Sequence, residues 1–193
     1  AVNYLLYQNI RGGIWQFYAK WHSKFKILPP DIDDTALVCT FLRKRNVPYP
    51  DNTETLLLNR NKEGLFYTWF TLHENFTQYT RQYWRLIARE LKLPITTFLY
   101  WKRANHRRND IDLVVNANVT SYLGYNEITK PVVKRIKEAL LKSKSTITDK
   151  WYVNEIVHYY FIARLYDLEI PEMLEIKDLF EQKIKNAIIA SKN

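Results

Sequence analysis

Apolar residues recur along this chain at helical spacing, in two distinct patterns. Some segments are apolar on nearly every face, which indicates helices surrounded by protein; these are 36–42, 113–123 and 156–166. Other segments are apolar on one face and basic or polar on the other, which is typical of surface helices; these are 77–92, 132–140 and 174–188. With only 4 glycines in the chain, the patterns predict an all-α fold.

The order of these segments suggests how the helices pack. After Asp110 the chain runs through a buried helix, a surface helix, a second buried helix and a second surface helix. An inner ring of helices covered by an outer ring would produce this order, with one inner and one outer helix in each hairpin. We therefore expect a partial or small α/α barrel, or toroid, of helical hairpins. An orthogonal bundle around one central helix would produce part of the same pattern.

A weak internal repeat favours stacked hairpins. The segment 11–18 is echoed by 62–69, because in both a basic residue and a glycine precede an aliphatic residue and an aromatic cluster. A proline-containing loop follows each copy, and then Asp-Ile-Asp opens a buried helix, at Asp31 and at Asp110. Repeated units of this kind are typical of stacked hairpins.

Length and composition predict one domain over 1–193. Cys39 is the only cysteine, which is compatible with a reducing compartment and favours a cytoplasmic location. No apolar run approaches the ~20 residues that cross a bilayer. The chain opens on a helix-like segment, 4–7, without a capping signal. We therefore expect a piece of a longer polypeptide, whose remaining domains would be its partners.

A basic excess of +9 is compatible with an anionic partner, although solubility is its commonest cause. Its densest cluster covers 102–108, next to three aromatic residues at 98, 100 and 101. The cluster forms either a solvated loop or an anion site. Arg103, Arg107 and Arg108 are the candidate anion-binding residues, for a diphosphate, an anionic headgroup or single-stranded nucleic acid. No specific nucleic-acid-binding motif is present.

An acidic turn, Asp31-Ile32-Asp33-Asp34, is the main candidate for chemistry. Aspartate caps the unpaired N–H groups of a first helical turn, and capping explains one or two of the three carboxylates. Three carboxylates in one turn repel each other, so burial would keep at least one protonated near neutral pH and make it a general acid. The helix dipole opposes this effect by favouring the charged form.

The acidic turn, which continues as Thr35-Ala36, resembles the Asp-x-Asp-Asp motif of class II terpenoid cyclases. Those enzymes share an α/α toroid with the β subunits of protein prenyltransferases. The stretch from Gln8 to Trp15 resembles the repeated Gln-Trp motif of the same superfamily, with a departure of one residue, and 61–66 is a weaker copy.

The resemblance implies a function and a set of roles. Asp33 would protonate an alkene or epoxide of an isoprenoid substrate. Asp31 and Asp34 would tune it, or Asp34 would hold a water that supplies the proton. Aromatic rings would stabilise the resulting cation. The candidate substrate-binding residues are Trp15, Phe17, Tyr18, Trp21, Phe66, Tyr67 and Trp69. No cofactor and no metal are implied.

Polar residues inside the apolar helices are weaker candidates. Asn116 either forms hydrogen bonds between helices or lines a cavity beside Asp33. His158 is either a hydrogen-bonded core residue or faces the same pocket, and the four histidines lack the spacing of a zinc site.

Three functions remain open from the sequence. The first is protonation-initiated cyclisation or isomerisation of an isoprenoid or another apolar small molecule. The second is a non-catalytic toroid scaffold or binding module. The third is an anion- or nucleic-acid-binding helical domain that uses 102–108.

Overall fold

The computed structural model of the protein describes residues 1–103, 107–142, 152 and 154–191, with the side chain of Arg103 excepted. The predicted all-α class is confirmed, because helices dominate and no β-strand forms among these residues. The α-helices are α1 (Val2–Gln8), α2 (Ile32–Lys44), α3 (Thr53–Leu58), α4 (Arg81–Lys92), α5 (Pro94–Arg103), α6 (Leu113–Leu123), α7 (Lys130–Leu141), α8 (Glu155–Ala163), α9 (Pro171–Leu174) and α10 (Lys177–Ala190). Short 3₁₀ helices form at Ser23–Lys26, Phe76–Gln78 and Arg164–Leu168.

The chain divides into two compact units, Ala1–Ile111 and Asp112–Asn193, where the sequence suggested one domain. Each unit has a buried apolar core of its own, and each is described separately below. Within the described residues, no helix combines the length and the apolar character that crossing a bilayer requires.

The internal repeat corresponds to a turn that the first unit forms twice. The N–H of Ile10 donates to the carbonyl of Ile14 at 2.9 Å, and the N–H of Asn61 donates to that of Leu65 at 2.9 Å. A glycine in the left-handed region directly precedes each acceptor, at φ 75° in Gly13 and 82° in Gly64. The two copies therefore match in backbone geometry, and each follows a short helix, α1 or α3.

Helix α6 organises the second unit. Seven consecutive residues, 114–120, are buried, as the all-round apolar pattern predicted. Helices α7 and α8 both pack against α6, while α10 packs against α8 and α9 against α7. The apolar face of α7 is buried through Val132, Val133, Ile136, Ala139 and Leu140.

The prediction of burial on all sides is wrong for the other two segments, 36–42 and 156–166. Helix α8 exposes 63% of Tyr160, and α2 buries one face while Leu37, Val38 and Phe41 stay half-buried. Each of these two helices therefore has one face covered by its own unit and one face that is not.

Candidate acid site

The acidic turn begins α2 and is fixed by backbone hydrogen bonds. Asp31 is the N-cap residue, and its Oδ1 accepts a hydrogen bond from the N–H of Asp34 at 2.7 Å. The hydroxyl of Thr35 donates to the carbonyl of Asp31 at 2.8 Å and accepts from the N–H of Trp15 at 3.1 Å. The turn is therefore tied to the Gln8–Trp15 stretch, the other segment that carries the family resemblance.

Asp31 and Asp34 form a carboxyl pair in which Asp31 is buried and Asp34 is half-buried. Burial raises the pKa of Asp31 well above its ordinary value, and the charge of Asp34 raises it further. Burial also raises the pKa of Asp34, to about 6, with a further contribution from the charge of Asp33. The interaction between the two side chains raises the pKa of Asp31 and lowers that of Asp34. The protonated form is therefore favoured more strongly at Asp31 than at Asp34.

One oxygen of this pair is otherwise unsatisfied. Oδ2 of Asp34 is buried, and no N–H or O–H group of the described residues donates to it. A buried carboxylate oxygen without a donor is costly, so burial favours the protonated form of this pair. Asp33 stays half-buried beside it.

The second acidic segment lies close to the first within the same unit. The N–H of Ile32 donates to the carbonyl of Thr68 at 3.0 Å, and the N–H of Thr68 donates to the carbonyl of Asp110 at 2.8 Å. Tyr100 lies near both acids: burial, followed by the charges of Asp31, Tyr18 and Asp110, raises the pKa of its phenol. Thr68 thus links two acidic segments that the sequence places far apart.

The predicted aromatic residues divide into three groups. Trp15, Phe66, Tyr67 and Trp69 are buried in the first unit, and Tyr18 is half-buried. Phe17 and Trp21 are 73% and 68% exposed, so the expectation that they line a closed cavity is wrong. They lie in the segment after Trp15, in which Gln16 and Tyr18 are half-buried and these two rings are not covered. The backbone of Trp69 pairs with that of Asp31 in an isolated bridge.

A pocket of about 310 Å³ lies in the first unit, near the lower limit of small-molecule sites. It is lined by Leu72, Ile87, Glu90, Leu91, Pro94, Thr97, Phe98, Trp101 and Arg108. The ring of Trp101 meets Trp69 edge to face at 6.1 Å. Aromatic packing therefore connects this apolar pocket with the residue that pairs with Asp31.

Glu90, which the sequence analysis did not single out, is a further buried carboxyl. Burial raises its pKa, while its Oε2 accepts from the hydroxyl of Thr71 at 2.7 Å. Periodicity would have found it, because Tyr83, Leu86, Ile87 and Glu90 follow the spacing of one helical face and all four are buried.

The candidate anion-binding residues have different surroundings. A terminal nitrogen of Arg108 lies 3.9 Å from Oε2 of Glu90, and its guanidinium lies 5.7 Å from the centre of the Trp101 ring. Arg108 thus already has a carboxylate partner. Arg107 is exposed, while the side chain of Arg103 and residues 104–106 lie outside the described part of the chain.

Asn116 and His158 belong to the second unit and form hydrogen bonds there. The amide of Asn116 donates to the carbonyl of Asp112 at 2.9 Å, within its own helix. The ring of His158 is hydrogen-bonded to the carbonyl of Tyr152, and burial lowers its pKa. In the described residues no cluster of His, Cys, Asp and Glu side chains is arranged to hold a metal ion.

Comparisons with protein-family models, with curated proteins and with solved structures find no match to this chain. The resemblance to class II terpenoid cyclases therefore depends on the acidic turn, the Gln8–Trp15 stretch and the pattern of helices.

Proposed function

We propose that this chain is an acid catalyst of the class II terpenoid-cyclase kind, built on an α/α-toroid arrangement, that protonates an isoprenoid and so starts its cyclisation or isomerisation. The observation that carries the proposal is the Asp31–Asp34 pair, in which burial raises the pKa of both carboxyls, that of Asp34 to about 6. A carboxyl that stays protonated where the surrounding water is neutral is suited to general-acid catalysis.

The chemistry requires no cofactor. The O–H bond of the acid breaks while the π electrons of the alkene form a new C–H bond, which leaves a carboxylate and a carbocation. Aromatic faces stabilise the cation, and Trp69 and Trp101 are the rings near the acidic turn and the apolar pocket. Loss of a proton from a neighbouring carbon then forms the product, and return of a proton to the carboxylate restores the acid.

We propose for Asp33 a role that differs from the one the resemblance implies. Asp31 is buried and has the strongly raised pKa, while Asp33 is half-buried and raises the pKa of both neighbours through its charge. We therefore assign the acidic proton to the Asp31–Asp34 pair. To Asp33 we assign the role of raising the pKa of that pair through its negative charge.

Three asparagine variants test this assignment. The protein is incubated with polyprenyl substrates, and cyclised or isomerised products are identified by mass spectrometry across a range of pH. Asp31→Asn and Asp34→Asn should abolish product. Asp33→Asn should retain activity, but the alkaline limb of its pH–rate profile should move to lower pH. The reason is that loss of a neighbouring negative charge lowers the pKa of the pair. Loss of activity at every pH in Asp33→Asn would instead restore the role implied by the resemblance.

The non-catalytic scaffold is the competing function, and one observation favours it. The bond from the N–H of Asp34 to Oδ1 of Asp31 is an ordinary helix cap, which stabilises α2 without any chemistry. No turnover with any polyprenyl substrate, together with a loss of stability when Asp31 is replaced, is the result that this function predicts.

A further inference from the structure

The first unit exposes four aromatic side chains in α1 and in the segment that follows it. Their exposed fractions range from about half to nearly three quarters. The rings are those of Tyr4, Tyr7, Phe17 and Trp21, and the lysines of the same segment are Lys20, Lys24 and Lys26. We refer to these seven residues as the aromatic–lysine surface. Exposed aromatic clusters rimmed by polar residues mark interaction sites.

Rings and ammonium groups are in contact on this surface. Tyr4 and Trp21 meet edge to face at 5.5 Å. The ammonium group of Lys20 lies 5.0 Å from the centre of the Tyr7 ring, and that of Lys24 lies 5.8 Å from the ring of Tyr18. The surface therefore alternates apolar rings with cations over a short distance.

The backbone beneath the surface is held from the core side. The guanidinium of Arg89 donates to Oε1 of Gln16 at 2.7 Å and to the carbonyls of Phe25 and Leu28. The N–H of Lys20 donates to Oε1 of the buried Gln8 at 2.8 Å. Because both ends of the segment are tied to the unit, the exposed rings are presented to the surroundings on a fixed support.

All charged side chains within residues 1–30 are basic. Residues 1–30 contain Arg11, Lys20, Lys24 and Lys26 and no aspartate or glutamate. Tryptophan and tyrosine are enriched where a protein meets the boundary between lipid and water, because their rings have an apolar body and a polar edge. Lysines next to such rings are attracted to anionic lipid headgroups.

We propose that the aromatic–lysine surface binds the face of an anionic phospholipid bilayer, with the rings of Phe17 and Trp21 inserted among the lipids and the lysines at the headgroups. The proposal does not depend on the acid chemistry of Asp31 and Asp34.

Ring geometry favours lipid over single-stranded nucleic acid. Nucleic-acid binding of this kind needs open ring faces on which bases stack. Lys20 lies over the ring of Tyr7, and Tyr18 has Lys24 over its ring and His22 stacked on it at 4.3 Å. Insertion into a bilayer leaves these contacts in place, whereas a base that stacks on a covered face of Tyr7 or Tyr18 would displace them.

Flotation with lipid vesicles tests the proposal on the whole chain. Vesicles of phosphatidylcholine with about a third phosphatidylserine should carry the protein upward, and added salt should weaken this binding because it screens the lysines. Vesicles of phosphatidylcholine alone should carry much less protein. Absence of binding to the anionic vesicles, or equal binding to both kinds, would overturn the proposal.

Variants with matched controls locate the binding. Trp21→Ala should weaken binding about tenfold, while Ile95→Ala, which removes a side chain 75% exposed on α5, should not change it. Replacing Lys20 and Lys24 with glutamine should weaken binding about fivefold per lysine, with Lys62→Gln as the exposed control. Circular dichroism confirms that each variant is folded. If Ile95→Ala weakens binding as much as Trp21→Ala, the surface is wrongly assigned.

Two further measurements identify the binding mode. Brominated lipids should quench part of the tryptophan fluorescence of the wild type, and Trp21→Phe should bind while losing that part of the quenching. A labelled single-stranded oligonucleotide should neither bind tightly nor compete with vesicles. Tight oligonucleotide binding that Trp21→Ala abolishes would assign the surface to nucleic acid and overturn the lipid proposal.

Discussion

The N–H of Asp34 donates to Oδ1 of Asp31 at 2.7 Å, so the residue that caps α2 is also the carboxyl whose pKa is raised by burial and by the charge of Asp34. The hydrogen bond stabilises the start of α2, and burial favours the protonated form of the carboxyl that accepts it. One turn of helix thus has a structural and a chemical role, and substitution separates the two.

Asp31→Asn and Asp31→Ala should differ in stability. Asparagine retains a side-chain oxygen that accepts the N–H of Asp34, so we expect a change within about 0.5 kcal/mol in the free energy of unfolding. Alanine removes the cap and should destabilise the unit by about 1–2 kcal/mol. Urea unfolding followed by tryptophan fluorescence reports mainly the first unit, since Trp15, Trp21, Trp69, Trp84 and Trp101 all lie in it. Equal losses in both variants would contradict the cap.

The Asp31–Asp34 pair should make stability fall as pH rises. The pKa of Asp34 is raised to about 6 in the folded state, so its contribution is fully present below the unfolded pKa of about 4 and is lost as pH rises through about 6. The loss should reach at most roughly 3 kcal/mol. Asp34→Asn should remove this slope in urea unfolding between these two pH values.

Asp51→Asn is the matched control for that experiment. Hydrogen bonds from the N–H and hydroxyl of Thr53 lower the pKa of Asp51, so its contribution is present above the unfolded pKa and is lost as pH falls. Its replacement should change the pH dependence in the opposite direction to that of Asp34→Asn. Slopes of the same sign in the two variants would be inconsistent with the buried pair.

His73 should contribute to the stability of the first unit as a neutral side chain. Its ring stacks on Tyr67 at 3.9 Å and is hydrogen-bonded to Asn109 at 3.0 Å, and burial lowers its pKa. His73→Ala should therefore destabilise the unit by about 2–3 kcal/mol. In the wild type this contribution should decline as pH falls below about 6.5, because the unfolded histidine takes up a proton more readily. The exposed His22 provides the control, and His22→Ala should cost far less.

Gly13 and Gly124 should respond differently to alanine. Both have left-handed φ values, 75° and 80°. A Cβ atom on Gly13 would lie 2.3 Å from the carbonyl oxygen of Pro50, whereas nothing lies within 4 Å of one on Gly124. Gly124→Ala should cost only the strained backbone, about 1 kcal/mol, and Gly13→Ala clearly more. Similar melting temperatures in the two variants would contradict the close approach at Gly13.

Arg89 should hold the segment 16–28 in place. Its side chain spans three acceptors of that segment, and burial lowers its pKa to about 10. Lysine cannot reach the same set, because it lacks the planar fork of the guanidinium. In Arg89→Lys, amide hydrogen exchange should quicken within 16–28 and stay unchanged in α6 of the second unit. Uniform quickening throughout the chain would indicate a global loss of stability instead.

Local sequence was sufficient for the all-α class and for some details of individual helices. The cap at Asp31 follows from the capping preference of aspartate, and the buried run within α6 follows from its all-round apolar pattern. The prediction failed for Phe17 and Trp21, because their aromatic character says nothing about whether the segment that carries them faces inward.

The sequence by itself determined that this chain is helical, which residues begin α2, and where three carboxylates lie within one turn. Only the tertiary structure decided which of those carboxyls holds a proton, because the pKa of Asp31 depends on burial by distant segments. It also decided which aromatic rings are covered, and it brought Thr68 between Asp31 and Asp110. The physical reason is range: helix formation and capping act within about four residues, whereas burial and electrostatics depend on whatever the fold places nearby.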